Sequence, residues 1–109
     1  MRLLVLIPLF VMTTALAQES LPLFTANVLT DPSYLAEGRE VWHSQCRHCH
    51  GRSAYPGKAP HLKPSTYQPD WVYDRVTNGF RKMPAWRDIF TQRQRESVTV
   101  YIMSEEFQP

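Results

Sequence analysis

Residues 46–50 read Cys46-Arg47-His48-Cys49-His50, followed by Gly51. Two thiols three positions apart project from the same side of one helical turn, and an imidazole comes on the very next residue. Four chemistries compete for this spacing. A thioredoxin-like C-x-x-C belongs after a strand in an α/β unit, and no strand pattern precedes Cys46. A zinc site wants a second pair of ligands, which His43, His48 or His61 would have to supply. A plain disulfide across so short a turn is chemically open. The fourth is covalent haem attachment, for which C-x-x-C-H is the pattern. There the two sulfurs reach the two vinyl groups on one porphyrin edge, and the next residue puts its imidazole on the iron.

Outward from the motif, the N-terminal side favours the fourth reading. Arg2 precedes an apolar run from Leu3 to Met12 broken only by Pro8, and Ala15-Leu16-Ala17 has the small-x-small pattern of a processing site. This predicts a signal peptide over 1–17, cleaved after Ala17, and an exported chain. The run is shorter than the ~18 to 20 apolar residues of a membrane span. No cysteine near the cleavage site suggests a lipid anchor, and no later segment is long and apolar enough to span. Haem is attached to such proteins after export.

The remaining chain, Gln18 to Pro109, has room for one small domain. A domain of this size buries only about 60 to 65% of its unfolded surface, so a large apolar cofactor would complete its core. Overall charge says little, with 12 Lys+Arg against 10 Asp+Glu. Its distribution says more. Ten basic residues lie between Arg47 and Arg95, against the three acids Asp70, Asp74 and Asp88. Nucleic-acid binding does not suit an exported protein. A solvated face or a docking face for an acidic partner does.

The residues outside the motif predict an all-α chain of about three main helices and long loops. Gln18 to Thr30 reads as an irregular arm, ahead of a single domain over 31–109. Asp31 and Pro32 give an N-cap and first helical position for a helix reaching about Cys46. Pro56, Gly57, Pro60 and Pro64 make 51–68 a loop. Pro69 to Asn78 reads as a second helix, stopped by Gly79. A second loop covers 80–90. The last helix follows from Thr91, whose spacing to Gln94 is that of a capping box, with Val98, Tyr101 and Ile102 as its apolar stripe. Loops this long are unusual unless functional, and here they would wrap a cofactor.

A haem iron held by His50 needs a second axial ligand. Met83 is the leading candidate, in a loop between two helices and stiffened by Pro84. Met103, near the end of the last helix, fits the core better, and His61 is the rival.

These residues resemble the class I (mitochondrial-like) monohaem cytochromes c of bacteria, from about Leu35 to Met103. Gly38 and Trp42 stand eight and four residues before Cys46, like the family's glycine and first-helix aromatic. Cys46 to Gly51, then Pro60-x-Leu62, then Asn78-Gly79 and Met83-Pro84-Ala85-Trp86, and finally Tyr101 follow in the family's order. The resemblance implies a small cytochrome c fold around one covalent haem c. It implies thioethers at Cys46 and Cys49, and iron ligation by His50 and Met83. It implies a hydrogen bond from the His50 ring to the Pro60 carbonyl and packing of Leu62 on the haem. Gly38 would let the first and last helices cross closely, with Trp42 and Tyr101 at the crossing. Trp71, Tyr73, Trp86 and Arg87 are the candidates for holding the haem carboxylates. The short stretch from His50 to Pro60, with Tyr55 and Pro56, departs from the family pattern.

A six-coordinate His/Met iron suits electron transfer rather than substrate binding, and methionine ligation raises the potential. The expectation is therefore a periplasmic, non-enzymatic carrier of single electrons between redox proteins, with partners that dock through an acidic surface. A dedicated cytochrome subunit of a periplasmic oxidoreductase, such as a quinoprotein dehydrogenase, is the alternative. The arm at 18–30 serves in either case as a partner-binding strap or as a segment folded back on the domain.

Overall fold

A computed structural model describes residues 7–13, 15, 18–51 and 58–107. The expected cleavage point at Ala17 and the Tyr55-Pro56 departure lie outside these residues. Residues 7–13 form no regular structure, and Leu9 and Phe10 in that stretch are 89% and 93% exposed. The chain is helical, with no strand among the described residues and one isolated bridge between Phe80 and Met83. No described helix is long and apolar enough to cross a membrane.

The helices begin where their caps say they should. Helix α1 (Ala26–Leu29) is a single turn inside the segment read as an irregular arm, capped by Thr25. Helix α2 (Pro32–Val41) starts at Asp31, whose Oδ1 accepts from the Ser33 amide at 2.8 Å. It does not stop at Cys46. A five-residue π turn (Trp42–Cys46) and a short helix α3 (Arg47–His50) continue the rod through the whole motif. Such wide turns mark functional sites more often than chance. A 3₁₀ turn at Pro64–Thr66 precedes helix α4 (Pro69–Asn78). Helix α5 (Gln92–Met103) opens on the expected capping box. Thr91 Oγ1 accepts from the Gln94 amide at 3.2 Å, and Gln94 Oε1 accepts from the Thr91 amide at 2.9 Å.

Helix α5 is the axis of the domain. Helices α2, α4 and α1 all pack on it, and Arg95 and every residue from Ser97 to Ile102 are buried. That is far more than the three-residue stripe visible in the sequence. The polar members are satisfied within the fold. Thr99 Oγ1 donates to the Arg95 carbonyl at 2.8 Å, and Ser97 Oγ reaches Glu37 at 3.2 Å. Gly38 allows the crossing of α2 over α5, because a Cβ there would lie 2.6 Å from the Ser97 carbonyl carbon and 2.8 Å from Tyr101 Cβ.

The core is Val41, Trp42, Val72, Val76, Val98, Tyr101, Ile102 and Phe107. Trp42 meets Phe107 edge-on at 4.7 Å and lies 6.3 Å from the Tyr101 ring. Phe107 comes from the turn after α5 and closes this aromatic corner, a role that its position near the chain end did not announce. Against the core lie Cys46, Leu62, Tyr67, Met83, Trp86, Phe90 and Met103, each only partly buried.

Candidate haem site

The π turn and α3 carry the three residues of the motif, and two of them, Cys46 and His50, lie beside this core. Cys46 ends the π turn half-buried and packs on the core cluster. Cys49 is exposed one helical turn on, and both thiols are free. Gly51 then ends α3 at φ 79°, ψ −166°, a conformation essentially restricted to glycine. The amide of Ala59 donates to the Cys49 carbonyl at 2.8 Å, so the chain returns beside the motif.

Burial disfavours the charged form of the two inner groups. It pushes the Cys46 thiol up to about 12 and holds the His50 imidazole below its ordinary value. A neutral imidazole is the form that ligates a metal. The His50 ring lies 5.8 Å from the Trp42 ring, and its Nδ1 is buried with no hydrogen-bond partner. The bond to Pro60 that the family resemblance implies is therefore not formed here, and Pro60 is exposed. Leu62 sits where expected, half-buried against the core.

The methionine loop also packs on this core. Gly79 ends α4 at φ 74°, ψ 173°, again a glycine-only conformation. Phe80 and Met83 then exchange two backbone hydrogen bonds, Phe80 N–H to Met83 at 3.1 Å and Met83 N–H to Phe80 at 2.9 Å. Arg81 takes the turn between them at φ 54°. After Pro84 the loop folds back onto α4. The Trp86 amide donates to the Val76 carbonyl at 3.0 Å and the Arg87 amide to that of Thr77 at 3.2 Å. Met83 and Met103 both pack against the core, alongside Cys46. His61 is exposed.

A Cβ at Gly79 would stand 2.7 Å from the Met83 carbonyl oxygen and 2.8 Å from the Ala85 nitrogen. Gly79→Ala should therefore displace the methionine loop as well as strain α4's end. The expected loss is about 2 kcal/mol of stability, measured by denaturant unfolding.

The basic middle of the sequence is not one surface. Arg95 is 0% exposed, inside the fold rather than on a solvated face. Arg93 pairs with Glu37 and Arg87 with Glu19. Arg47, Lys58, Lys63, Arg81 and Lys82 are exposed and have no acidic partner among the described residues. In sequence they lie within or close to the C-x-x-C-H turn, Leu62 and Met83.

Of the four residues suggested for the haem carboxylates, two are engaged elsewhere. Tyr73 Oη accepts from Arg95 at 3.1 Å, and Arg87 binds Glu19 and Asn78. Arg75 was not anticipated. Its guanidinium lies 4.1 Å from the Phe80 ring centre and 5.0 Å from that of Trp71, and its Nε is buried without a partner. Its place one helical turn after Trp71, on the side of α4 that leads into Gly79, was the available signal.

These features suit a haem group. The site has two thiols one turn apart, a half-buried imidazole with an orphaned nitrogen, and a thioether in a constrained loop. Cys46, His50 and Met83 border one apolar core whose flanking side chains are only partly covered. Zinc lacks equivalent support, since no three His, Cys, Asp or Glu side chains among the described residues are placed to hold a metal ion.

The family model described as cytochrome c oxidase, cbb3-type, subunit III matches residues 34–102. The chain belongs to this family of c-type cytochromes. Its fold is found in solved cytochromes. The c-type cytochrome SorU from Sinorhizobium meliloti is 30% identical, with a TM-score of 0.55 over 67% of this chain and 91% of SorU. The c-type cytochrome NirC is 21% identical, with a TM-score of 0.57 over 72% of this chain and 99% of NirC. Cytochrome CL from Methylophaga aminisulfidivorans MPT is 20% identical, with a TM-score of 0.60 over 68% of this chain and 54% of that one. The last two likenesses concern the fold alone. Comparison with curated proteins gave no match. Membership carries haem binding and electron transfer as the general property of this cytochrome.

Proposed function

We propose that this cytochrome is exported, loses residues 1–17, and works in the periplasm as a monohaem carrier of single electrons between redox proteins. Cys46 and Cys49 would hold one haem c through thioethers, with His50 and Met83 as the axial ligands and Leu62 packed on the ring. His50 Nδ1 has no partner in this structure; with haem bound, a move of the nearby chain that brings the Pro60 carbonyl to it would orient the imidazole and raise its basicity. Arg75, whose Nε is buried without a partner and whose Nη1 lies 3.9 Å from Asp74 Oδ2, is the candidate partner for a haem carboxylate. Bound haem supplies a reversible one-electron couple, whose potential methionine ligation raises. The protein's own part is to hold both ligands in both oxidation states and to keep water from the core-facing side.

The observation that carries this reading is the shared apolar core. Cys46 from the C-x-x-C-H turn and Met83 from the distal loop pack against the same cluster, and the His50 ring stands beside that cluster's Trp42. The exposed, unpaired cations around this region suit an acidic partner and short-lived encounters whose rate falls with salt.

Met83→Ala tests the ligand assignment. The variant should keep its covalent haem, lose the methionine-to-iron absorption band of the ferric protein, and turn high-spin or take a new ligand. Its potential should fall. A spectrum and potential unchanged from the parent would refute Met83. The family's own description as an oxidase subunit favours a second reading, that of a dedicated cytochrome subunit of one oxidoreductase. Co-purification that survives high salt supports the subunit, and recovery of the free cytochrome supports the shuttle.

A further inference from the structure

The arm before α2 lies outside the family match, which starts at residue 34, yet it is anchored more firmly than a surface segment needs. Glu19 uses both of its carboxylate oxygens. Oε1 accepts from Nη2 of Arg95, a side chain with no exposure at all. Oε2 accepts from Nη1 of Arg87 at 3.2 Å. Arg95 spends its other donors on the Phe90 carbonyl at 3.2 Å, Tyr73 Oη at 3.1 Å and Thr77 Oγ1 at 3.0 Å. Arg87 also donates to Asn78 Oδ1 at 2.9 Å. Two neighbouring contacts fix the arm in place. Gln92 Nε2 donates to the Ser20 carbonyl at 2.8 Å, and the Phe24 ring lies 5.9 Å from that of Tyr73.

Arg87 and Phe90 both belong to the segment that follows Met83. One carboxylate from the arm thus gathers that segment, α4 and α5 through a buried guanidinium and a surface one. Exposed ion pairs contribute little to a fold. A buried guanidinium deprived of its carboxylate is a different matter, because the charge is left uncompensated. Among the described residues, Glu19 is the one acid paired with Arg95.

We propose that Glu19 is a positioning residue that clasps the methionine loop shut and so keeps Met83 within reach of the haem iron. The proposal rests on Met83 being the distal ligand. Apart from Glu19, residues 84–90 are tied to α4 by the backbone hydrogen bonds of Trp86 and Arg87 and by the Arg87–Asn78 side-chain bond. Opening the loop requires Arg87 to leave Glu19, or Phe90 to leave Arg95. Removing the carboxylate weakens both attachments at once, and the open population rises.

The test uses the exported holoprotein in its ferric state, with imidazole as the competing iron ligand. Apparent imidazole affinity scales with the fraction of open loop, and Glu19→Gln should raise it by about tenfold. The Trp86 and Arg87 amides should exchange with solvent faster by a similar factor. Glu37→Gln removes the partner of Arg93 on the α2–α5 face. It serves as the control for general loosening and should leave imidazole affinity unchanged. The proposal is overturned if Glu19→Gln behaves like the parent, or if Glu37→Gln raises the affinity as much. Should Glu19→Gln fail to accumulate, Arg87→Gln decides. It frees the loop but leaves Arg95 paired, so a smaller rise is expected, and no rise overturns the clasp. A parent protein without the methionine-to-iron band would sink the Met83 assignment separately. The exchange rates of Trp86 and Arg87 would then judge the clasp alone.

Discussion

Gly38→Ala is expected to cost this cytochrome about 3 kcal/mol or more and to lower its thermal midpoint by roughly 15 °C. The cause is the crossing of α2 over α5. A methyl group at Gly38 would stand 2.6 Å from the Ser97 carbonyl carbon and 2.8 Å from Tyr101 Cβ, and it would crowd the Ser97 oxygen more closely still. Two of these three atoms are backbone, so no rotamer change relieves the contact. The helices must move apart, and the movement falls on Trp42 and Tyr101, which pack at the crossing. Trp42 also lies against His50, so the disturbance reaches the proposed iron ligand. Thermal unfolding of the holoprotein gives the result. A midpoint within 3 °C of the parent would show that α2 and α5 part easily and that the crossing does not set the site.

The second large effect is expected from replacing both Cys46 and Cys49 by alanine. The double variant should carry no covalent haem and should accumulate little folded protein. Among the described residues the core cluster is eight side chains, few for a domain of this size. Leu62, Tyr67, Met83, Trp86, Phe90 and Met103 pack on that core while only partly covered. Their exposed faces are apolar area that a bound porphyrin would remove from water, each square ångström contributing about 25 cal/mol. Without the thioethers the porphyrin can leave, and mass action no longer favours the folded chain. Circular dichroism and haem staining after denaturing electrophoresis read the outcome. Normal yields of a folded, haem-free double variant would show that the polypeptide completes its own core.

What the sequence disclosed follows a physical line. The C-x-x-C-H turn, the Asp31-Pro32 start, the Pro69 start, the Gly79 stop and the Thr91–Gln94 capping box are local signals, each set by residues within one or two turns. The structure has α4 at the expected residues and α5 within one residue of the expected ends. The rod from α2 through α3 was harder to read. Its π turn needs no residue type that distinguishes it from an ordinary helix, and nothing before Gly51 breaks the backbone. Contacts between distant residues were hidden altogether. Arg95 looked like one more charge in a basic stretch because the carboxylate that neutralises it is 76 positions away. Phe107 looked like a terminal residue, yet it closes the aromatic corner around Trp42. Arg75 shows its unused Nε only once α4 is in place. Charge counted along the chain therefore overstated the basic surface and missed the arm's role in the fold.

The intact mass of the exported chain, freed of non-covalent ligands by denaturation, bears on every residue assignment made for the iron. The account predicts the polypeptide beginning at Gln18 with the mass of one haem added, and that mass located on the peptide carrying Cys46 and Cys49. Two unmodified thiols on that peptide, with no porphyrin mass anywhere in the chain, would contradict it.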